Sequence, residues 1–254
     1  MYAILADSLV IARFSFVRAF REKILYLTLL ALALILPLVG GIDVEGVSTR
    51  VKLATDISLF LLDISVWVLC TASVHALIST DVSRGGFALI LARGIHPFSL
   101  VLGRWIAIAF FVALNVTLIA TVVCSVVATG SSSVTVSMAW GALESIMKGC
   151  LFVSLLIFLG VTFSPVTGIV LGTLGWIAGH SLQIISNLIF EAGGWLARFL
   201  GPVIRAFPDF NLLELPQLGG EMSAGSWLLI VVRFFGYSLG FLALASQALE
   251  RHQE

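Results

Sequence analysis

Long apolar stretches separated by short polar breaks dominate the chain. Six are long enough to cross a bilayer, whose hydrocarbon core takes about 20 helical residues. They run over approximately Ile24–Ile42, Ile57–Ser79, Trp105–Val127, Ala142–Phe163, Val166–Ile189 and Trp227–Leu249. The pattern predicts an all-α integral membrane protein with six transmembrane helices. The breaks are uneven. Asp43 to Asp56 reads as a modest outer loop, Thr129 to Val136 as a small polar one, and Ser164-Pro165 as a very tight inner turn.

The largest break on the inner side runs from Asp81 to Arg104. Inside it, Phe87 to Ala92 is apolar yet far too short to span. Gly85 and Gly86 before the run and Gly94 after it are helix-boundary residues, and Pro97 suits the first turn of the next helix. The reading is one short helix lying across the inner membrane surface and facing a soluble partner, because an exposed apolar patch marks a contact site.

Two further segments are amphipathic. Met1 to Lys23 puts Asp7, Arg18 and Glu22 on one helical side, flanked by Arg21 and Ser15, with Leu9, Phe16 and Phe20 opposite; Ile11 and Phe14 intrude on the polar side. It reads as an interfacial helix. In the outer segment Phe190 to Gly225, Trp195, Phe199 and Val203 form one stripe and Leu196, Leu200 and Ile204 another. Arg198 and Arg205 share a further face, and Gly201-Pro202 breaks the element, so a hairpin dipping into the outer leaflet is expected.

Composition agrees with the membrane class: 59% of residues are hydrophobic and only 11% charged. The formal net charge of +0 argues against a nucleic-acid partner. Placing the N-terminus inside puts Arg13, Arg18, Arg21, Lys23, Arg84, Arg93, Arg104 and Arg251 in the cytosol. Arg50, Lys52, Arg198 and Arg205 then face out, so both termini are expected to be cytoplasmic. Cys70, Cys124 and Cys150 lie inside apolar segments without metal-ligand spacing and read as buried free thiols. No cleavable signal peptide is apparent.

Ionisable groups at membrane depth need a partner or a purpose. Asp63 and Arg233 each lie about two turns in from the outer ends of the second and sixth spans, at roughly 1.5 Å per residue, which predicts an ion pair between them. Glu144 and Lys148, four apart, form a natural helical pair expected at the headgroups. His180 lies near Gly172, Gly175 and Gly179, small residues that let helices approach closely; it is a packing residue or part of a translocation path. His75 invites the same reading. No phosphate loop, zinc-protease motif, paired Cys/His spacing or elbow serine is present, so no metal is expected and ATP would require a separate subunit.

The loop also carries a resemblance. Asp81, Arg84-Gly85-Gly86, a run ending Ile90-Leu91, Arg93-Gly94-Ile95 and then Leu102-Gly103-Arg104 resembles the second-to-third-span loop of type-2 ABC exporter permeases. Gly86 stands where that family usually has Thr, Gly94 where it has Pro, and Arg104 where it has Lys. Arg21 to Tyr26 is similar to its charged lead-in to the first span, and Phe207 to Leu212 to the turn after its re-entrant helices. The resemblance implies a coupling helix in which Arg84, Phe87, Leu89, Ile90, Leu91 and Arg93 meet an ATPase subunit. ATP and Mg would be bound in that partner, with no cofactor in this chain. It further implies pairing of two permease subunits, identical or paralogous, in the inner membrane, and no catalysis by this chain. Two other readings stand beside it: an intramembrane enzyme using Asp63, His180 or Glu144, and an ATP-independent transporter or channel, although no inverted repeat is visible.

Overall fold

The computed structural model describes residues 2–21, 30, 33, 47–79, 81, 86–127, 132–192, 208, 210 and 224–251. All but two residues of the first predicted span, Arg84 and nearly all of the predicted outer segment, hairpin included, lie outside the described residues. Within them the chain is all helical, with no strand. Seven α-helices follow one another: α1 (Tyr2–Arg21), α2 (Val47–Val74), α3 (Gly86–Leu91), α4 (Pro97–Val127), α5 (Ser132–Thr162), α6 (Pro165–Ala192) and α7 (Ala224–Arg251). A π-helical segment, His75–Ser79, continues α2.

Local chemistry explains several boundaries. Gly94 has φ +80°, the left-handed conformation that ends a helix without a β-carbon clash, and its N–H donates to Leu91 O at 2.9 Å. Pro97 opens α4, where a missing N–H goes unnoticed. Before it, His96 caps the helix: the Phe98 N–H donates to its Nδ1 at 3.2 Å, and the Ser99 N–H to its carbonyl at 2.9 Å. Ser164-Pro165 repeats the device between α5 and α6, with the Thr167 N–H donating to Ser164 Oγ at 3.2 Å and the Gly168 N–H to Ser164 O at 2.8 Å.

Three helices begin more than a turn earlier than hydropathy alone predicts. α2 starts at Val47, inside the expected Asp43–Asp56 loop; α4 starts at Pro97 rather than Trp105; α5 starts at Ser132, within the expected Thr129–Val136 loop. The polar turns at these ends lower hydropathy without breaking the backbone ladder. Four described stretches are long and apolar enough to cross a membrane: Lys52–Ile78, Pro97–Ser125, Val136–Thr162 and Leu228–Arg251.

α5 is the centre of the bundle, packing on α2, α4, α6 and α7. Phe152, Val153, Leu156 and Ile157 from α5 meet Leu62, Val66 and Leu69 of α2 and Ile108, Phe111 and Val112 of α4 in one continuous core. α7 lies at the edge against α4 and α5, with Leu228, Val232, Phe235 and Leu239 exposed. An apolar exposed face is what a helix surrounded by lipid requires.

α1 runs along α4, and the contacts advance in the same direction on both: Ser8 and Ile11 lie at Gly103, Phe16 at Phe110 and Phe111. Its buried stripe is Ser8, Ala12, Ser15 and Ala19, while Leu5, Leu9, Val10, Phe14 and Val17 are exposed. Gly103 permits the approach, since a β-carbon there would fall 2.6 Å from Ser8 O. The serine hydroxyls donate to carbonyls one turn back at 2.7 Å, so the buried stripe has no unmet polar group. Small residues line the closest approach of α1 to α4, and the Phe16 and Phe20 rings pack on Phe111 beside them.

Candidate docking helix and intramembrane charge network

The short apolar run becomes α3, only 6 residues long. Too short to hold itself in water, it must be fixed by tertiary contacts. Phe87 supplies one, being 6% exposed in the core; burying such a ring is worth about 1.5–3 kcal/mol. Ile90 and Leu91 pack partly against the core, whereas Leu89 is 63% exposed and Arg93 also faces outward. The helix thus has an anchored side and an offered side.

Asp81 fixes the base of α3. Its Oδ1 accepts from Arg18 Nη1 at 2.7 Å and its Oδ2 from Arg104 Nη2, so one carboxylate joins α1 to α4. Arg18 Nη2 also donates at 3.3 Å to the carbonyl of Ala76 in the π segment. Gly86, the first residue of α3, sits on the Asp81 backbone, where a β-carbon would lie 3.4 Å from Asp81 O. Four elements meet at this acid. Charge-assisted bonds of this kind are the strong class of hydrogen bond, and here two share an acceptor.

At membrane depth the structure corrects the predicted ion pair. Asp63 faces α5, not α7: Ser145 Oγ donates to its Oδ1 at 2.5 Å, and Lys148 Nζ lies 3.7 Å from its Oδ2. Arg233 is exposed on α7, which packs against α4 and α5. Equal depth in the membrane does not put two residues on facing sides of their helices. The Glu144–Lys148 pair exists, with Nζ 2.6 Å from Oε1, yet it is no headgroup pair, because both side chains are buried in the bundle. Lys148 joins α5 to α2 through Asp63, while Glu144 holds it from within α5.

His180 belongs to an aromatic cluster. Its Nδ1 lies 3.0 Å from Trp176 O, its ring stacks on Phe210 with centroids 5.3 Å apart, and Trp176 extends the cluster to Phe152 at 4.8 Å. Phe210 comes from the segment between α6 and α7 and is fully buried. It reaches α6 at Gly179, where a β-carbon would meet the ring at 2.2 Å. Asp63 and His180 therefore sit in separate networks. Cys70, Cys124 and Cys150 are free thiols; Cys70 and Cys150 are buried as the sequence predicts, whereas Cys124 is only half-buried.

Sequence reasoning missed the role of Ser145, which reads as one more small residue, and the convergence of Arg18 and Arg104 on Asp81. A signal for the latter was present: an acid directly after an apolar span, with arginines flanking both neighbouring helices. The fold and these buried charges define an all-α, multi-pass membrane protein. No protein-family model matches the chain, and none of the curated proteins matches it in sequence.

Proposed function

We propose that this chain is the membrane-spanning permease subunit of an ATP-driven ABC exporter, with α3 as the helix on which a separate ATPase subunit docks. The observation that carries the reading is the two-sided form of α3: Phe87 rooted in the bundle, Leu89 and Arg93 presented outward, and Asp81 at its base tied to α1 and α4. A helix pushed from outside moves the spans only if it is attached to them, and Phe87 in the core and Asp81 at the base make that attachment. ATP-driven closure of the docked subunits would then shift the bundle between inward and outward access. Two copies of the chain, or this chain and a paralogue, would form the path by two-fold pairing in the inner membrane, with the Asp81 end cytoplasmic.

The test is to isolate the intact chain from its native membrane under mild conditions and assay the bound material for ATP hydrolysis. Copurification of an ATP-hydrolysing subunit, lost on Leu89→Asp while the variant keeps its thermal stability, is the expected result. A wild-type chain with no such subunit, or a Leu89→Asp variant that retains it, would overturn the reading.

A further inference from the structure

We propose that the exposed face of α2 around Asp63 is a binding site for lipophilic organic cations. Phe60, Asp63, Ile64 and Trp67 fall at helical spacings of three and four and so share a face. Phe60 is 66% exposed and Ile64 42%, and the Asp63 carboxylate keeps 27% of its side chain open although it lies well inside the apolar stretch Lys52–Ile78. An ionisable group left open at that depth marks a functional site, because hydrocarbon is a poor solvent for it.

The sign of the site follows from what is hidden. Lys148 is 2% exposed, lies 2.6 Å from Glu144, and makes a longer ion pair with Asp63 at 3.7 Å, without a hydrogen bond. The cation of the network is therefore enclosed and a carboxylate faces the open side. Ser145 donates to Oδ1 of Asp63, leaving that group acceptor capacity for a further donor or a cation. Aromatic rings stand one turn to either side, Phe60 and Trp67, and ring faces attract cations most strongly where water is absent. The Trp67 indole N–H is buried and has no acceptor, so a cation carrying an oxygen would complete it. An anion would meet the carboxylate and be repelled. The chemistry selects an ammonium or phosphonium centre on an apolar body.

As the transported class, such cations rest on the permease reading, but their binding is a property of this chain alone. The experiment uses the full chain in nanodiscs of zwitterionic phosphatidylcholine, with tetraphenylphosphonium as probe and tetraphenylborate as the same shape with opposite charge. Expected are saturable tetraphenylphosphonium binding displaced by benzyltrimethylammonium, at least tenfold weakening by Asp63→Asn, and no saturable tetraphenylborate binding. Phe60→Ala, which removes an exposed ring and spares the packing, should weaken binding about threefold. Uptake that is merely proportional to lipid, as from partition into the bilayer, or a folded Asp63→Asn variant that binds like wild type, overturns the proposal. If Asp63→Asn does not fold, Phe60→Ala decides, and unchanged affinity there overturns it. Loss of ATPase association on Leu89→Asp has no bearing on these outcomes, so the two readings fail separately.

Discussion

Arg18 Nη1 stands 2.7 Å from Asp81 Oδ1, a bond between residues 63 positions apart that ties the first described helix to the foot of α3. Neutralising the acid leaves two guanidinium groups facing each other, one of them, Arg104, only 9% exposed. Asp81→Asn is predicted to lower stability by about 3 kcal/mol, the scale of a broken buried pair. Arg18→Ala should cost about 1 kcal/mol or less, because the Arg18 side chain is 31% exposed and solvent screens it. Thermal unfolding in detergent, followed by tryptophan fluorescence, checks the order. Equal losses from the two variants would show that the acid does not bridge.

Lys148 is the enclosed cation of the α2–α5 contact. Lys148→Met should destabilise by about 3–5 kcal/mol, since it leaves two acids facing each other without their ammonium. Adding Glu144→Gln should recover about 1 kcal/mol or more, a coupling that a double-mutant cycle reads directly. Strictly additive losses would argue against a shared network.

The two sides of α3 make opposite predictions. Phe87→Ala removes a buried ring and should cost about 3–5 kcal/mol. Leu89→Asp changes an exposed position and should leave the unfolding free energy within about 0.5 kcal/mol of wild type. The same unfolding assay compares them; a large loss from Leu89→Asp would mean that this side is already covered within the chain.

Gly179 and Phe210 are a fitted pair, and each can be spoiled from its own side. Phe210→Ala opens a hole beside Trp176 and His180 and should cost about 3–5 kcal/mol. Gly179→Leu forces the ring away and should cost about 1–3 kcal/mol through overpacking. Limited proteolysis around residue 210, faster in both variants, is the expected sign that the segment between α6 and α7 has come off α6.

What the sequence reveals here is local. Gly94, Pro97 and Ser164-Pro165 announce their turns because φ, a missing N–H and a capping hydroxyl act within a few residues. The apolar run at Phe87 announces a short element because Gly86 and Gly94 bound it. Partners across the bundle are not local. Hydropathy gives the depth of Asp63 and Arg233 but not the direction in which either side chain leaves its helix. Glu144, four residues before Lys148, made the lysine look satisfied by its own helix, which hid its reach to α2. Nor does the amphipathic division of α1 reveal that Ser8, Ala12, Ser15 and Ala19 make its closest contact with α4 by being small.

The π segment His75–Ser79 amounts to one surplus residue wound into the end of α2. Rewinding the segment into ordinary turns with no residue removed would swing everything beyond it by about 100°. Asp81 would then point away from both arginines with its chemistry intact. That surplus residue sets the compass bearing of the acid on which α1, α3 and α4 converge.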